Sequence, residues 1–337
     1  MSDLEAAWAR LKVGGDPGGG FVRLRLDGVK ACAAYAARHA VEGTEALVLE
    51  VRTASIPPVD AYPEAAGFTV TVSPLEEGRA GSSRLVLALV EERFRDVFHS
   101  LVQDVVGVLG GVADEKGAVS AFTARLARWQ AFLRQYGPDG LSLVARRGLF
   151  GEIEFLQRCL RSGSGVAGIV DSWKGYKGAN HDFQFRRGNV EVKATSAVTP
   201  HAVHINNIKQ LDDHGLESLH LCVVLVDEGE GGTESLPEKV EAIRKALGTP
   251  VRWKFDECLV EAGYLDKHAG RYASPRYSLR GIRCFRVEDR FPRLLDPTIP
   301  RGVENVEYLL ALAACGPFEA DVDSVIRHLT AGVLSNE

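Results

Sequence analysis

Asp182 is followed, nine residues on, by Glu191-Val192-Lys193 within HDFQFRRGNVEVKAT, and this stretch most narrows what the chain can become. Phe183 to Phe185 is a short apolar run, Arg186-Arg187-Gly188-Asn189 is a turn signal, and Val190 to Ala194 resumes a strand. The pattern predicts a tight β-hairpin. Side chains alternate along a strand, so Glu191 and Lys193 share one face while Val190 and Val192 point into a core. Asp182 then lies on the neighbouring strand. Two carboxylates and an ammonium brought together in this way are the parts needed to hold a hard divalent cation against a phosphodiester and to activate a water. Only one other lysine, Lys116, has a carboxylate two residues ahead of it, and it sits in a glycine-flanked polar segment that reads as an exposed loop. The competing reading of Glu191 and Lys193 is a surface ion pair, which contributes roughly 0–1 kcal/mol.

The flanking segments add candidates. Gly148 to Leu160 has helical periodicity, with Leu149, Ile153, Leu156 and Leu160 on one stripe. Glu152 borders that stripe, where a carboxylate is costly unless a metal ion or an arginine compensates it. Glu154 lies on a different side and is expected in solvent. Downstream, HAVHINNIKQLDD reads as a short strand turning into a helix, with Asn206 as N-cap and Gln210 in the first turns. Lys209 points elsewhere, toward the backbone of a bound strand. His201 and His204, three apart on a strand, fall on opposite faces, which argues against a joint metal site and leaves them as phosphate contacts at most. Trp173-Lys174-Gly175-Tyr176-Lys177-Gly178 interleaves aromatics and cations just before Asp182. Such a loop either tracks a nucleic-acid backbone or anchors itself in the core.

Taken together, GLFGEIEFL, then DSWKGYKGANHDF, then VEVKAT, then RCFRVEDRFPRLL and VENVEYLLALAAC resemble a family of bacterial PD-(D/E)XK motif proteins. That family falls in the restriction-endonuclease-like nuclease superfamily, and its members are often encoded near DNA modification and defence genes. The resemblance covers Gly148 to Cys315 well and the first hundred residues loosely. It implies metal ligands at Asp182 and Glu191, a catalytic Lys193, and supporting roles for Glu152 and Gln210. The proline of the motif's name is His181 here, a departure that leaves the chemistry intact. On this reading the chain is a Mg²⁺-dependent DNA endonuclease, with Mn²⁺ able to substitute, acting on double-stranded DNA in restriction or phage defence beside modification or defence partners. Two other readings stay open: a non-catalytic DNA-binding or scaffold subunit of a defence complex, and a structure-selective or RNA nuclease with the same chemistry.

The residue types set the division of labour. Hard oxygen ligands select Mg²⁺ or Mn²⁺, and Asp182, Glu191 and the Val192 carbonyl are the candidate set, with Glu152 beside them. Lys193 either orients the attacking water or stabilises the charge of the pentavalent state. Between carboxylates an ammonium stays protonated, which favours the second role. Cutting two strands with one site per chain further leads to an expectation of self-association.

Charge is unevenly spread. The chain carries 40 basic and 45 acidic residues, net −5, which argues against a generic nucleic-acid binder. Leu141 to Gln210 nonetheless holds ten basic residues against five acidic ones, leaving the rest of the chain near −10. Lys174, Lys177, Arg186, Arg187 and Lys209 are the candidate phosphate contacts in that window. No run approaches the ~18 apolar residues of a membrane span. The N-terminal segment reads as polar and amphipathic rather than as a signal peptide. Six dispersed cysteines without a CxxC pair suggest reduced thiols, a cytoplasmic protein and no zinc site.

A chain of 337 residues fits two or three domains. We expect an α/β protein whose restriction-endonuclease-like core, a mixed central sheet flanked by helices, spans residues 141–230. Residues 1–140 read as a strand-rich α/β domain with connecting helices and a recognition or docking role, and 231–337 as a C-terminal α+β extension. GFVRLRLDG, EALVLEVRT, GFTVTVSP and SRLVLALVE are the N-terminal strand candidates. Gly14 to Gly20 lacks the GK[ST] ending of a phosphate loop and reads as a turn. SLHLCVVLVDE reads as a buried strand, SLPEKVEAIRKALGT as a helix, PRYSLRGIRCFRV as a strand pair with arginines that line a groove or solvate an edge, and Asp321 to Leu334 as a final helix.

Overall fold

A computed structural model of the chain describes residues 3–11, 20–58, 62–75, 81–162, 165–198, 201–331 and 333. Its contacts divide it into two units, Met1–Gly140 and Leu141–Glu337. The architecture is mixed α/β, with separate sheets in the two units.

In the first unit α1 (Asp3–Arg10) precedes five antiparallel strands, β1 (Phe21–Arg25), β2 (Ala33–His39), β3 (Glu45–Arg52), β4 (Phe68–Pro74) and β5 (Ser82–Leu89), in the order β1-β2-β3-β5-β4. Two helices follow, α2 (Arg95–Leu109) and α3 (Glu115–Tyr136). β3 is central and buried over nearly its whole length, which is why EALVLEVR has an apolar run rather than strict alternation. β2 carries no strand signal. AAYAARH favours helix by propensity, since alanine is the best helix former. It is a strand because β1 and β3 pair with it on both edges, and its buried Ala34, Ala36 and Ala37 admit α1 against it. The glycine-rich segment Gly14 to Gly20 lies, apart from Gly20, outside the described residues.

The second unit runs α4 (Leu143–Arg161), α5 (Val166–Ser172), β6 (Phe183–Phe185), β7 (Gly188–Thr195), β8 (Ala202–Ile205), β9 (Leu219–Gly229) and β10 (Glu234–Ser235). It continues with α6 (Leu236–Ala246), α7 (Thr249–Glu261), α8 (Ala269–Tyr272), β11 (Arg276–Val287), β12 (Tyr308–Ala311), β13 (Glu319–Ala320) and α9 (Val322–Thr330). The main sheet has the order β10-β11-β9-β7-β6, with β13 also on β11. β7 and β9 are parallel and the other pairs antiparallel, so the sheet is mixed. Residues from both sides of position 231 thus share one sheet. β9 is buried from Leu219 to Val226, as expected for its unbroken apolar run. Its Leu219, Leu221 and Val223 pack with Val203, Ile205, Phe285 and Leu310. Across the sheet α4 packs on β7 and β9, and α9 on β11. Gly151 makes the first of these contacts close: a Cβ there would stand 2.8 Å from the Ala194 Cβ and 3.6 Å from the Val224 Cβ.

Several local expectations need correction. PRYSLRGIRCFRV is one strand, β11, with a register shift between Leu279 and Gly281, because β9 is long enough to pair with all of it. Its arginines are in ion pairs, Arg276 with Glu238, Arg280 with Asp227, Arg283 with Glu319 and Arg286 with Glu288. The last helix starts at Val322, behind the N-cap Asp321, and ends at Thr330, while Leu334 falls outside the described residues. Cys222 and Cys284 stand opposite each other in the β9–β11 register and form a disulfide, so not all six cysteines are thiols. They are 62 residues apart, and only strand pairing brings them together. The other four are free and buried. Among the described residues no helix is long and apolar enough to cross a membrane.

Candidate active site

β6 and β7 form the expected hairpin, joined by Arg186 and Arg187, with Phe185 opposite Gly188 and Phe183 opposite Val190. β7 begins two residues earlier than the sequence suggests. Gly188 adopts φ 147°, a conformation that side chains disfavour, and a Cβ there would collide with Ser218. Beyond Val190 the edge of β7 has outrun β6. Asp182 fills that gap, its Oδ2 accepting the Val192 N–H at 2.7 Å. The N–H and C=O of one strand residue point to the same side, so the Val192 carbonyl also faces this edge. The Asp182 carbonyl accepts the N–H groups of Lys174 and Gly175 at 2.6 and 3.0 Å, which ties the preceding loop to the hairpin.

Glu191 is 2 % exposed, and its Oε1 lies 2.8 Å from Lys193 Nζ, the same-face pair that strand alternation requires. Lys193 Nζ also donates to Gln210 Oε1 at 3.0 Å and Asn206 Oδ1 at 3.3 Å. Gln210 Oε1 in turn accepts the Asn206 N–H at 3.0 Å. The helix expected here is a single 3₁₀ turn, Ile208–Leu211, and its cap is Asn207, whose side chain accepts the Lys209 N–H. Adjacent asparagines are equal as caps. Here Asn207 takes that role and Asn206 turns to the lysine, a contact that the capping signal hid.

Glu152 comes from α4, whose N-terminus is capped by Ser142. Its Oε2 accepts from Trp173 Nε1 at 2.7 Å. Trp173 is fully buried, with Tyr176 packed edge-on at 5.4 Å, so the aromatic loop is an anchor and not a stacking platform. A Cβ at Gly175 would stand 2.5 Å from Asp182 Oδ1 and 2.9 Å from Glu152 Oε2. Carboxylate oxygens from a helix and a hairpin thus converge on one point beside a residue without a side chain.

The electrostatics are lopsided. Burial raises the pKa values of Glu152, Asp182 and Glu191, and for Glu152 and Glu191 the charge of Asp182 adds to it. Lys193 pulls the other way on all three, helped by the Trp173 indole at Glu152 and the Val192 N–H at Asp182. One ammonium faces three carboxylates, so positive charge is in short supply. Among the described residues no three His, Cys, Asp or Glu side chains stand as a ready set of metal ligands. Each of these three carboxylates instead holds a protein donor. The chemistry of the set, buried oxygen donors with surplus negative charge, fits a hard cation such as Mg²⁺ or Mn²⁺.

The other candidates are dispersed. Arg186 and Arg187 are exposed at the far end of the hairpin, about 10 Å along the strand from the carboxylates. Lys209 is exposed next to Gln210, Lys174 is half-buried, and the side chain of Lys177 lies outside the described residues. Three of the ten basic residues in this window serve the fold. Arg146 donates to the Leu141, Arg271 and Ser274 carbonyls, Arg147 pairs with Glu228, and Arg158 pairs with Glu154. Glu154 itself corrects the expectation of a solvated side chain: it is 5 % exposed, with Lys239 Nζ at 2.6 Å. Its partner arrives from α6, which the α4 sequence cannot announce. His204 is exposed and lies 3.7 Å from Glu307.

One family, described as "Putative PD-(D/E)XK family member, (DUF4420)", matches residues 4–313. No curated protein and no solved structure matches the chain.

Proposed function

The chain belongs to this PD-(D/E)XK family, and from that premise we propose that it is a metal-dependent endodeoxyribonuclease with a restriction-endonuclease-like core. The observation that carries the proposal is the convergence of Asp182, Glu191 and Glu152 beside Lys193, on a hairpin and a helix of one mixed sheet. Asp182, Glu191 and the Val192 carbonyl hold a divalent ion, Mg²⁺ or Mn²⁺, with Glu152 in support. When bound, such an ion neutralises the phosphate oxygens and acidifies water.

The protein's own groups do the rest. Gln210 and Asn206 hold Lys193 Nζ in place, so the ammonium is pre-oriented toward negative charge that develops on the phosphate. Glu191 Oε1, 2.8 Å away, fixes that group from the same strand. The Trp173 indole fixes the Glu152 carboxylate, in the way that groups behind a ligand commonly orient it. Exposed Arg186, Arg187 and Lys209 supply phosphate contacts outside the site. A setting in restriction or phage defence, and self-association to cut both strands, complete the proposal.

Plasmid cleavage with Mg²⁺, Mn²⁺ or EDTA, comparing wild type with Lys193→Ala and Asp182→Ala, is the test. Metal-dependent nicking lost in both variants supports the reading. Cleavage of neither modified nor unmodified DNA overturns it in favour of a binding subunit, and cleavage confined to RNA moves the substrate. A chain that sediments only as a monomer with DNA and Ca²⁺ removes self-association.

A further inference from the structure

A second constellation lies where β9 begins, on the face that α9 covers. A cavity of about 360 Å³ is lined there by His220, Arg286, Ser324 and His328, with Glu217 and Asp321 also on its wall. His220 and Arg286 are directly opposite each other in the β9–β11 register, so their side chains leave the sheet together, with Cβ atoms about 5 Å apart. Ser324 and His328 are four apart on α9 and share the helix face that meets them.

His220 is 5 % exposed, and its Nδ1 is enclosed without a hydrogen-bond partner among the described residues. Buried polar groups in folded proteins almost always have partners, so a bare imidazole in a cavity wall reads as a recognition group. An enclosed nitrogen without an acceptor is better left as a lone pair. The proton then sits on Nε2, which becomes a donor for a ligand. Ser324 Oγ accepts from Arg327 at 2.9 Å, and its O–H is already engaged by the Asp321 carboxylate. Arg286 is more than half exposed, and its Glu288 contact is long, at 3.5 Å.

The charges point the same way. Burial lowers the His220 pKa to about 4, and Arg286 and His328 push it in the same direction, so three basic groups stand within electrostatic reach of one another. Of the acids on the wall, Asp321 caps α9, accepting the Ser324 N–H at 2.8 Å, and Glu217 is exposed. An imidazole, a guanidinium and a second imidazole suit a compact anion with several oxygens. The volume lies at the small end of ligand pockets.

We propose that this cleft is a phosphate-binding site, formed by His220, Arg286 and His328 and separate from the carboxylate site. It does not depend on the nuclease reading. The phosphate is carried either on a nucleic-acid strand or on a free nucleotide or phosphate ion.

Histidine-selective NMR of the full chain tests this, with inorganic phosphate, AMP and a short DNA duplex in EDTA as probes, and His220→Gln and His328→Gln to assign the rings. Saturable shifts of both rings are expected, weakened about tenfold in Arg286→Ala, a surface change that leaves the fold intact. The same titration in Lys193→Ala is expected to be unchanged, which separates this site from the nuclease site. Shifts with the duplex alone assign the phosphate to a strand, and shifts with phosphate or AMP alone assign it to a small molecule. No saturable shift with any probe, or shifts indifferent to Arg286→Ala, overturns the site.

Discussion

Glu152 and Glu154 sit two residues apart on α4 and meet opposite surroundings. Glu154 has Lys239 at 2.6 Å and Arg158 at 3.1 Å, and Lys239 is further held by Glu234 and Gln157. Glu152 has a neutral indole for a donor and two carboxylates for company. A buried carboxylate is tolerable when its charge is answered, and the fold answers one of the two. A buried cluster of three carboxylates sharing one ammonium costs stability, and perturbed groups of this kind concentrate where function needs the charge. The contrast sets a glutamate that serves the fold beside one that we propose serves the site, without reference to motif.

The sharpest way to break the comparison is to remove charge from each side. Asp182→Asn and Lys193→Ala are expected to lower cleavage by the folded protein by about 100- to 1000-fold. In EDTA the denaturation midpoint rises in Asp182→Asn, which relieves repulsion, and falls in Lys193→Ala, which strips the one ammonium from the cluster. Equal loss from Glu154→Gln would erase the distinction. Glu154→Ala is instead expected to cost about 3 kcal/mol in chemical denaturation, because it strips a partner from a buried ammonium, and to leave cleavage by the folded fraction unchanged. Trp173→Phe keeps the ring and removes the N–H. A rise of about tenfold in the Mg²⁺ concentration needed for cleavage is the expected outcome of a titration, and a rise in temperature sensitivity alone would make the indole structural.

The smallest effect is a pH slope. The folded pKa values of Glu152, Asp182 and Glu191 lie above their unfolded ones, so these groups favour the fold while protonated. In EDTA their contribution is full in acid and is lost as pH rises from about 4.5, the ordinary glutamate value, toward the raised folded pKa values. Glu152→Gln is expected to flatten that loss, seen as a denaturation midpoint that varies less with pH, and Mg²⁺ to offset it in wild type. A steeper slope in the variant would mean that the repulsion is not where we put it.

What could be read in advance was local. Alternation in VEVKA, the turn at Arg186-Arg187-Gly188 and the stripe beside Glu152 each depend on neighbours within a few residues, and the hairpin and α4 follow, whereas the Lys193–Gln210 contact appears only in the fold. The rest depends on partners that the local pattern does not name. Glu154 is decided by Lys239, the disulfide by the register of β9 against β11, and β2 by the strands on either side of an alanine run. Asn206 escapes the capping rule for a subtler reason. Its neighbour is chemically identical, and a rule about caps cannot choose between twins. Trp173 left two readings open because indole is as apt for a core as for a nucleobase, and its buried contact with Glu152 decides for the core.

Gly151 has no charge and touches no carboxylate, yet it governs the reach of the residue beside it. With only 2.8 Å between a would-be Cβ and the Ala194 Cβ, the helix carrying Glu152 lies closer to β7 than a residue with a side chain would allow. Ala194 itself follows Lys193 in the chain. The gap between the glutamate of α4 and the lysine strand is therefore set like the jaw of a vice, by the thickness of what is clamped at its screw. Adding one methyl at Gly151 would open the jaw while leaving every functional group in place, so an alanine scan confined to charged residues would overlook the part that sets the spacing.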